Sequence, residues 1–113
     1  MVGDSLNRAK PAFRVAAKLE GSGRDVARVN PRDQTGATWP SMAAAFSEAP
    51  VHACNLIISP TIGLAVIEDA ARLGVEDVFM QPGADAPHVV AAARELGLRV
   101  QKGCVLVQGM SLL

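Results

Sequence analysis

The sequence is poor in aromatic residues, in net charge and in cysteine. It has no tyrosine, three phenylalanines and one tryptophan in 113 residues, and its eleven lysines and arginines are balanced by eleven aspartates and glutamates. Nucleic acid is held by clustered basic residues and, when single-stranded, by exposed aromatic platforms, so this composition lacks the footprint of a nucleic-acid binder. Without a net charge no global field draws an anion, which has to be held by local geometry instead. The apolar runs are only a few residues long, against the roughly 20 that span a bilayer. The N-terminus shows no basic segment followed by an apolar run. A soluble, cytoplasmic protein without a membrane partner is expected. Cys54 and Cys104, the two cysteines, lie far apart in apolar surroundings, with no CxxC spacing and no histidine placed to complete a zinc site. No metal site is expected, and a reducing compartment fits.

What the chain has is apolar content arranged in a repeating order. Half of the residues are hydrophobic, enough for one packed core, and the length predicts a single domain over 1–113. An alanine-rich helical pattern that stops at glycine and leads into a short β-branched run occurs three times. The first runs from Pro11 to Leu19, stops at Gly21-Ser22-Gly23 and leads into Asp25 to Val29. The second runs from about Thr61 to Leu73, stops at Gly74 and leads into Val75 to Met80. The third runs from Ala86 to Leu96, stops at Gly97 and leads into Leu98-Arg99-Val100. Proline near the first turn and glycine past the last mark helix ends. Cys54 to Ile58, between Pro50 and Pro60, reads as a strand covered on both faces. A short helix from about Ser41 to Ala49, capped by Ser41, precedes it. Alternating helices and strands predict an α/β fold, a three-layer Rossmann-like parallel sheet with helices on both faces.

The glycine loop that should follow a first strand stands at Val2-Gly3-Asp4-Ser5, with Met1 alone before it, so the first strand reads as truncated. In the usual order it would lie between the strands at Asp25–Val29 and Cys54–Ile58. Its loss would leave two unpaired edges. Either the sequence is truncated at its N-terminus, or those neighbours close up or recruit another chain. The cost of orphaned backbone groups favours truncation.

In such sheets ligands sit outside the carboxyl ends of the strands. The loop Gly3-Asp4-Ser5-Leu6-Asn7-Arg8 offers a glycine, a hydroxyl and a cation ahead of a helix N-terminus, which suits a pyrophosphate but is also an ordinary polar turn. The next loop reads Val29-Asn30-Pro31-Arg32. It lacks the carboxylate that grips an unmodified ribose diol, and Arg32 could hold a phosphorylated ribose bidentately. Coenzyme A carries that phosphate at the 3′ position and NADP at the 2′ position. Arg32 could equally pair with the adjacent Asp33. Ser59-Pro60-Thr61 either caps a helix or contacts an adenine or pantetheine portion. Met80-Gln81-Pro82-Gly83-Ala84 reads first as a turn, with Asp85 capping the following helix.

These pieces in this order resemble the CoA-binding domain family, which includes small stand-alone proteins and the N-terminal domain of the succinyl-CoA synthetase α subunit. The resemblance rests on Val2 to Ser5 with Arg8 and Phe13-Arg14-Val15, on Val29 to Arg32, on Ser59 to Thr61, on Met80 to Ala84 and on Gly103 to Val107. It implies that Ser5 to Arg8 face the CoA phosphates, Arg32 the phosphorylated ribose, and Ser59 to Thr61 the adenine or pantetheine side. The cofactor-binding set it implies is Gly3, Ser5, Leu6, Asn7, Arg8, Asn30, Pro31, Arg32, Ser59, Pro60, Thr61 and Gln81. Many members carry a small residue where Asp4 stands, and a carboxylate beside a pyrophosphate is unfavourable unless it points away.

No catalytic residues are expected. The phosphohistidine domain of succinyl-CoA synthetase has no counterpart here, and His52 and His88 lack partners for acid-base work. Cys104 could exchange with a CoA disulfide but sits in an apolar run typical of a buried thiol. Trp39 is expected to pack over a sheet edge. The expected function is binding of CoA or an acyl-CoA by a non-enzymatic module, with open sheet edges that could take a second copy or another protein. The alternatives are an NADP-binding protein or remnant oxidoreductase, and an interaction domain with a decayed nucleotide site.

Overall fold

A computed structural model describes residues 1–23, 25–48, 51 and 53–103. Its elements in chain order are β1 (Val2–Gly3), α1 (Pro11–Gly21), α2 (Met42–Glu48), β2 (Ala53–Ile57), α3 (Pro60–Arg72), β3 (Asp77–Met80), α4 (Pro87–Glu95) and β4 (Arg99–Lys102). The predicted His52, Cys104 and the end of the α2 helix at Ala49 lie outside the described residues.

Three helices open on a proline, whose fixed φ suits the first turn and whose missing N–H would find no partner there anyway. None of the three uses a side-chain cap. That corrects two expectations. Ser59 occupies the cap position of α3 but makes no side-chain cap bond. Asp85 accepts from the Gly83 N–H at 3.3 Å inside the turn, leaving Ala86 as the cap residue of α4. Ser41 does cap α2, its Oγ accepting from the Ala44 N–H at 3.1 Å. Gly74 (φ 89°) and Gly97 (φ 85°) supply the left-handed turns that end α3 and α4 and send the chain back into the sheet.

The sheet is parallel with order β1-β2-β3-β4. The first strand, read from sequence as missing, is present as the two-residue β1 and lies where the order required it. On one side Val2 and Gly3 register with Leu56 and Ile57. On the other, Gly3 N–H donates to the Val29 carbonyl at 2.9 Å and Val29 N–H to the Met1 carbonyl at 2.8 Å. The expected strand at Asp25–Val29 is reduced to a bridge at Val29, because β1 offers no longer partner. Val29 also bridges Trp39, so the tryptophan backbone forms the sheet's outer rung on this side. At the opposite end, Arg99 grips Asp77 with Nε at 2.7 Å and Nη2 at 2.9 Å, and the two residues stand in register on β3 and β4.

The period of two along each strand divides the core into two layers. Cys54, Leu56, Val78 and Met80 join α2, α3 and α4 in the larger cluster. Phe79 turns to the other face, against Ala12, Val15, Ala16 and Leu19 of α1. Helices thus cover both faces, giving the three-layer α/β arrangement that the sequence predicts. No helix among the described residues is long and apolar enough to cross a membrane. Cys54 is buried, and burial pushes its thiol pKa up, so it is a packing residue rather than a nucleophile.

Candidate functional site

Parallel strands deliver their following loops to one side of the sheet. Here the segments after β1, Val29, β2 and β3 frame a cleft of about 670 Å³, a volume in the usual range for small-ligand sites.

The loop after β1 is held from three directions. β1 approaches β2 so closely that a Cβ on Gly3 would stand 2.5 Å from the Ile57 carbonyl oxygen and 2.8 Å from Ile57 Cγ2. Arg28 donates through Nη1 to the Ser5 carbonyl at 2.9 Å and pairs through Nη2 with Glu20 in the last turn of α1. Asn7 folds the distal part, its Oδ1 accepting from the Ala9 N–H at 3.0 Å and its carbonyl from the Lys10 N–H at 2.9 Å. The loop delivers Asp4, Leu6 and Lys10 to the cleft wall, followed by Pro11 and Ala12 of α1. Lys10 is the cap residue of α1, whose first turn holds no acidic side chain. A helix start favours an anion through its dipole and free amides; here Pro11 has no N–H and the Phe13 N–H donates to the Lys10 carbonyl at 3.2 Å, so the first turn offers the Ala12 N–H beside the charge of Lys10.

The loop after Val29 contributes Asn30, Arg32, Asp33, Gln34 and Thr35. It closes on itself through the Asn30 N–H to the Trp39 carbonyl (3.0 Å) and the Trp39 N–H to the Arg28 carbonyl (2.9 Å). Asn30 Oδ1 accepts from the Arg32 N–H at 3.1 Å. The expected alternative for Arg32, a pair with Asp33, does not form. Asp33 bonds Thr35 and Thr38 instead, and Arg32 has no ion pair among the described residues. Those bonds hold the Asp33 carboxyl down at about 2, the Thr35 hydroxyl contributing most, then the Thr38 hydroxyl. Ile57 and Ile58 from the end of β2, with Pro82 beyond β3, complete an apolar wall, and Ser59 adds a polar residue beside it.

Of the residues the sequence singled out, the structure brings Leu6, Asn30, Arg32 and Ser59 together around the cleft. The other eight lie off its lining. Gly3 and Ser5 are buried and act on the loop's path. Asn7 is spent on the turn. Arg8 reaches away to stand 5.6 Å over the Phe13 ring, a cation–π contact. Pro31, Pro60 and Thr61 flank the cleft residues in sequence without lining it. Gln81 is fully buried and donates through Nε2 to Asn55 Oδ1 at 2.9 Å. The cofactor-binding set leaves out Lys10, Pro11, Ala12, Gln34, Thr35, Ile57 and Ile58, all of which line the cleft. For Lys10 the signal was there, a cation directly before the proline that opens a helix.

Comparison with known proteins agrees with this architecture. The model of the family described as CoA binding domain matches residues 1–110. A conserved hypothetical protein from Pyrococcus furiosus superposes with a TM-score of 0.77 at 25% identity, over 95% of this chain and 94% of its own. A hypothetical protein from Pyrococcus horikoshii OT3 shares the fold with a TM-score of 0.75 at 24% identity, over 90% of this chain and 72% of its own. No curated protein sequence matches the chain significantly.

Proposed function

This chain belongs to the CoA binding domain family, and from that premise we propose that its cleft receives coenzyme A or an acyl-CoA as a binding or regulatory module without catalysis of its own. The observation that carries the proposal is the convergence on one cleft of two cations, Lys10 and Arg32, with the N-terminus of α1 and an apolar wall at Leu6, Ile57 and Ile58. Coenzyme A has the matching parts, a pyrophosphate, a phosphorylated ribose and a long apolar-polar arm. The donor set fits it. Lys10 and the Ala12 N–H at the start of α1 would hold the pyrophosphate, and Arg32, without an ion pair among the described residues and beside Asn30, the ribose phosphate. Ile57, Ile58 and Ser59 would flank the adenine or pantetheine. Asp4 also lines the cleft and opposes the phosphates; its exposed carboxylate accepts from Asn7 Nδ2 at 3.4 Å and is open to water. Among the described residues the cleft lining includes neither histidine nor cysteine.

The test is thermal unfolding with CoA, NADP and NAD. A ligand that binds only the folded chain stabilises it by about 2.7 kcal/mol at a hundredfold excess over its dissociation constant. A shift selective for CoA and lost in Arg32→Ala is expected. A larger shift with NADP would assign the cleft to a 2′-phosphorylated dinucleotide, and no shift with any of the three would leave a nucleotide site that has decayed. Acetyl-CoA and succinyl-CoA incubated with the protein should be recovered unhydrolysed.

A further inference from the structure

We propose that Asp33 is a positioning residue: by committing its carboxylate to Thr35 and Thr38 it leaves Arg32 unpaired, and so sets the preference of the cleft for ligands that carry a ribose phosphate. The inference rests on the reading of the cleft as a CoA site and deepens it.

An acid and a base adjacent in a surface loop can pair freely with each other, and such pairs are common. Here the acid is already occupied. A carboxylate offers about four lone-pair sites, and Asp33 receives four hydrogen bonds. Its Oδ1 accepts from the Thr35 N–H at 2.8 Å and from Thr35 Oγ1 at 2.6 Å. Its Oδ2 accepts from the Thr38 N–H at 3.1 Å and from Thr38 Oγ1 at 2.6 Å. Thr35 Oγ1 in turn accepts from the Ala37 N–H at 3.2 Å. The residues from 33 to 38 therefore close into a ring around one carboxylate, which stays ionised well below the ordinary range for that reason. The backbone of Arg32 is fixed from the other side by Asn30, and the residue lines the cleft without an ion pair among the described residues. Released from the ring, Asp33 would compete with a phosphate for the same guanidinium donors.

The test compares CoA with dephospho-CoA, which lacks only the 3′-phosphate, by calorimetric titration. The wild-type protein should prefer CoA by about tenfold or more, the range of one charge-assisted contact, and Arg32→Ala should abolish the preference. In Thr35→Val/Thr38→Val the preference should fall several-fold as Asp33 captures Arg32. Adding Asp33→Asn to that variant should restore it, because no carboxylate then remains. A ring that merely shaped the loop would weaken both ligands alike and leave their ratio unchanged, and the added Asn would not rescue anything. Thr38→Val alone serves where the double valine variant folds poorly: it loosens Asp33 Oδ2 at a residue off the cleft lining, so the preference for CoA should fall while the affinity for dephospho-CoA holds. If Arg32→Ala collapses the ratio while the threonine variants keep it, the role of Asp33 is overturned and the CoA site stands. If the wild-type protein binds no CoA, or does not distinguish it from dephospho-CoA, the assignment of the ribose phosphate to Arg32 fails, and the role of Asp33 fails with it.

Discussion

Gln81, at the end of β3, donates through Nε2 to Asn55 Oδ1 of β2 at 2.9 Å, and both side chains are buried in the middle of the sheet. The amide nitrogen of Asn55 finds no partner among the described residues, so Gln81 is what offsets the burial of the asparagine. Replacing Gln81 with Leu should destabilise the fold by about 1–3 kcal/mol, the penalty for stranding a buried polar group. The double variant Asn55→Leu/Gln81→Leu should recover part of that loss, since no amide is then left unpaired. Urea unfolding of the two single variants and the double would read this as a coupling energy; strict additivity would show that the pair does not act as a unit.

Gly3 should tolerate no side chain. A methyl group would press on the backbone carbonyl of Ile57 at 2.5 Å, and a backbone atom in a central strand cannot turn aside as a side chain can. Gly3→Ala is expected to lower stability by about 1–3 kcal/mol, as overpacking does, and to shift β1 and its loop. Thermal unfolding gives the first effect. Loss of CoA affinity in the protein that remains folded gives the second.

Legibility in the sequence followed the strength of the local signal. The helix–glycine–strand units were readable because proline and glycine act at the level of single residues: Pro60 and Pro87 open their helices, and Gly74 and Gly97 end theirs. β1 was not readable as a strand, because two residues show no periodicity and its existence depends on partners at Val29, Leu56 and Ile57. For the same reason Asp25 to Arg28, β-like in composition, form no strand: the Ala27 carbonyl accepts from the Met1 amine at 3.0 Å and the Arg28 carbonyl from the Trp39 N–H at 2.9 Å, single bonds rather than a ladder. In the site, Arg32 and the loops that present it were visible, whereas the fate of Asp33 was not. Adjacency in sequence pointed to Arg32, and the actual partners lie two and five residues further on, in a loop whose closure depends on Trp39 pairing with Val29.

Lys10 was overlooked as the end of a loop, and its place suggests a measurable role. It occupies the cap position of α1, whose first turn carries no acidic side chain, and lines the cleft. Lys10→Ala should weaken CoA binding about five- to tenfold at low salt, and the difference from wild type should shrink as salt screens the exposed charge. Lys10→Arg should retain most of the affinity. Titrations at two ionic strengths separate this from a packing effect, which salt would leave untouched.

Acid should open the ring around Asp33 only as the pH falls toward 2. The Asp33 carboxyl titrates at about 2 in the folded protein against an ordinary value of 3.8. The folded state therefore binds fewer protons than the unfolded one between those values, and stability rises with pH across that window. The contribution is fully present above about pH 4 and is lost as pH falls through 2. It comes from the Thr35 and Thr38 hydroxyls first and their backbone N–H groups second. Asp33→Asn cannot titrate, so the wild-type minus variant difference in unfolding temperature should be largest near neutral pH and shrink toward zero between pH 4 and 2. Other carboxylates lower stability in both proteins equally and cancel in the difference. A difference that stays constant down to pH 2 would mean that Asp33 titrates normally, and that its four bonds do not persist in solution.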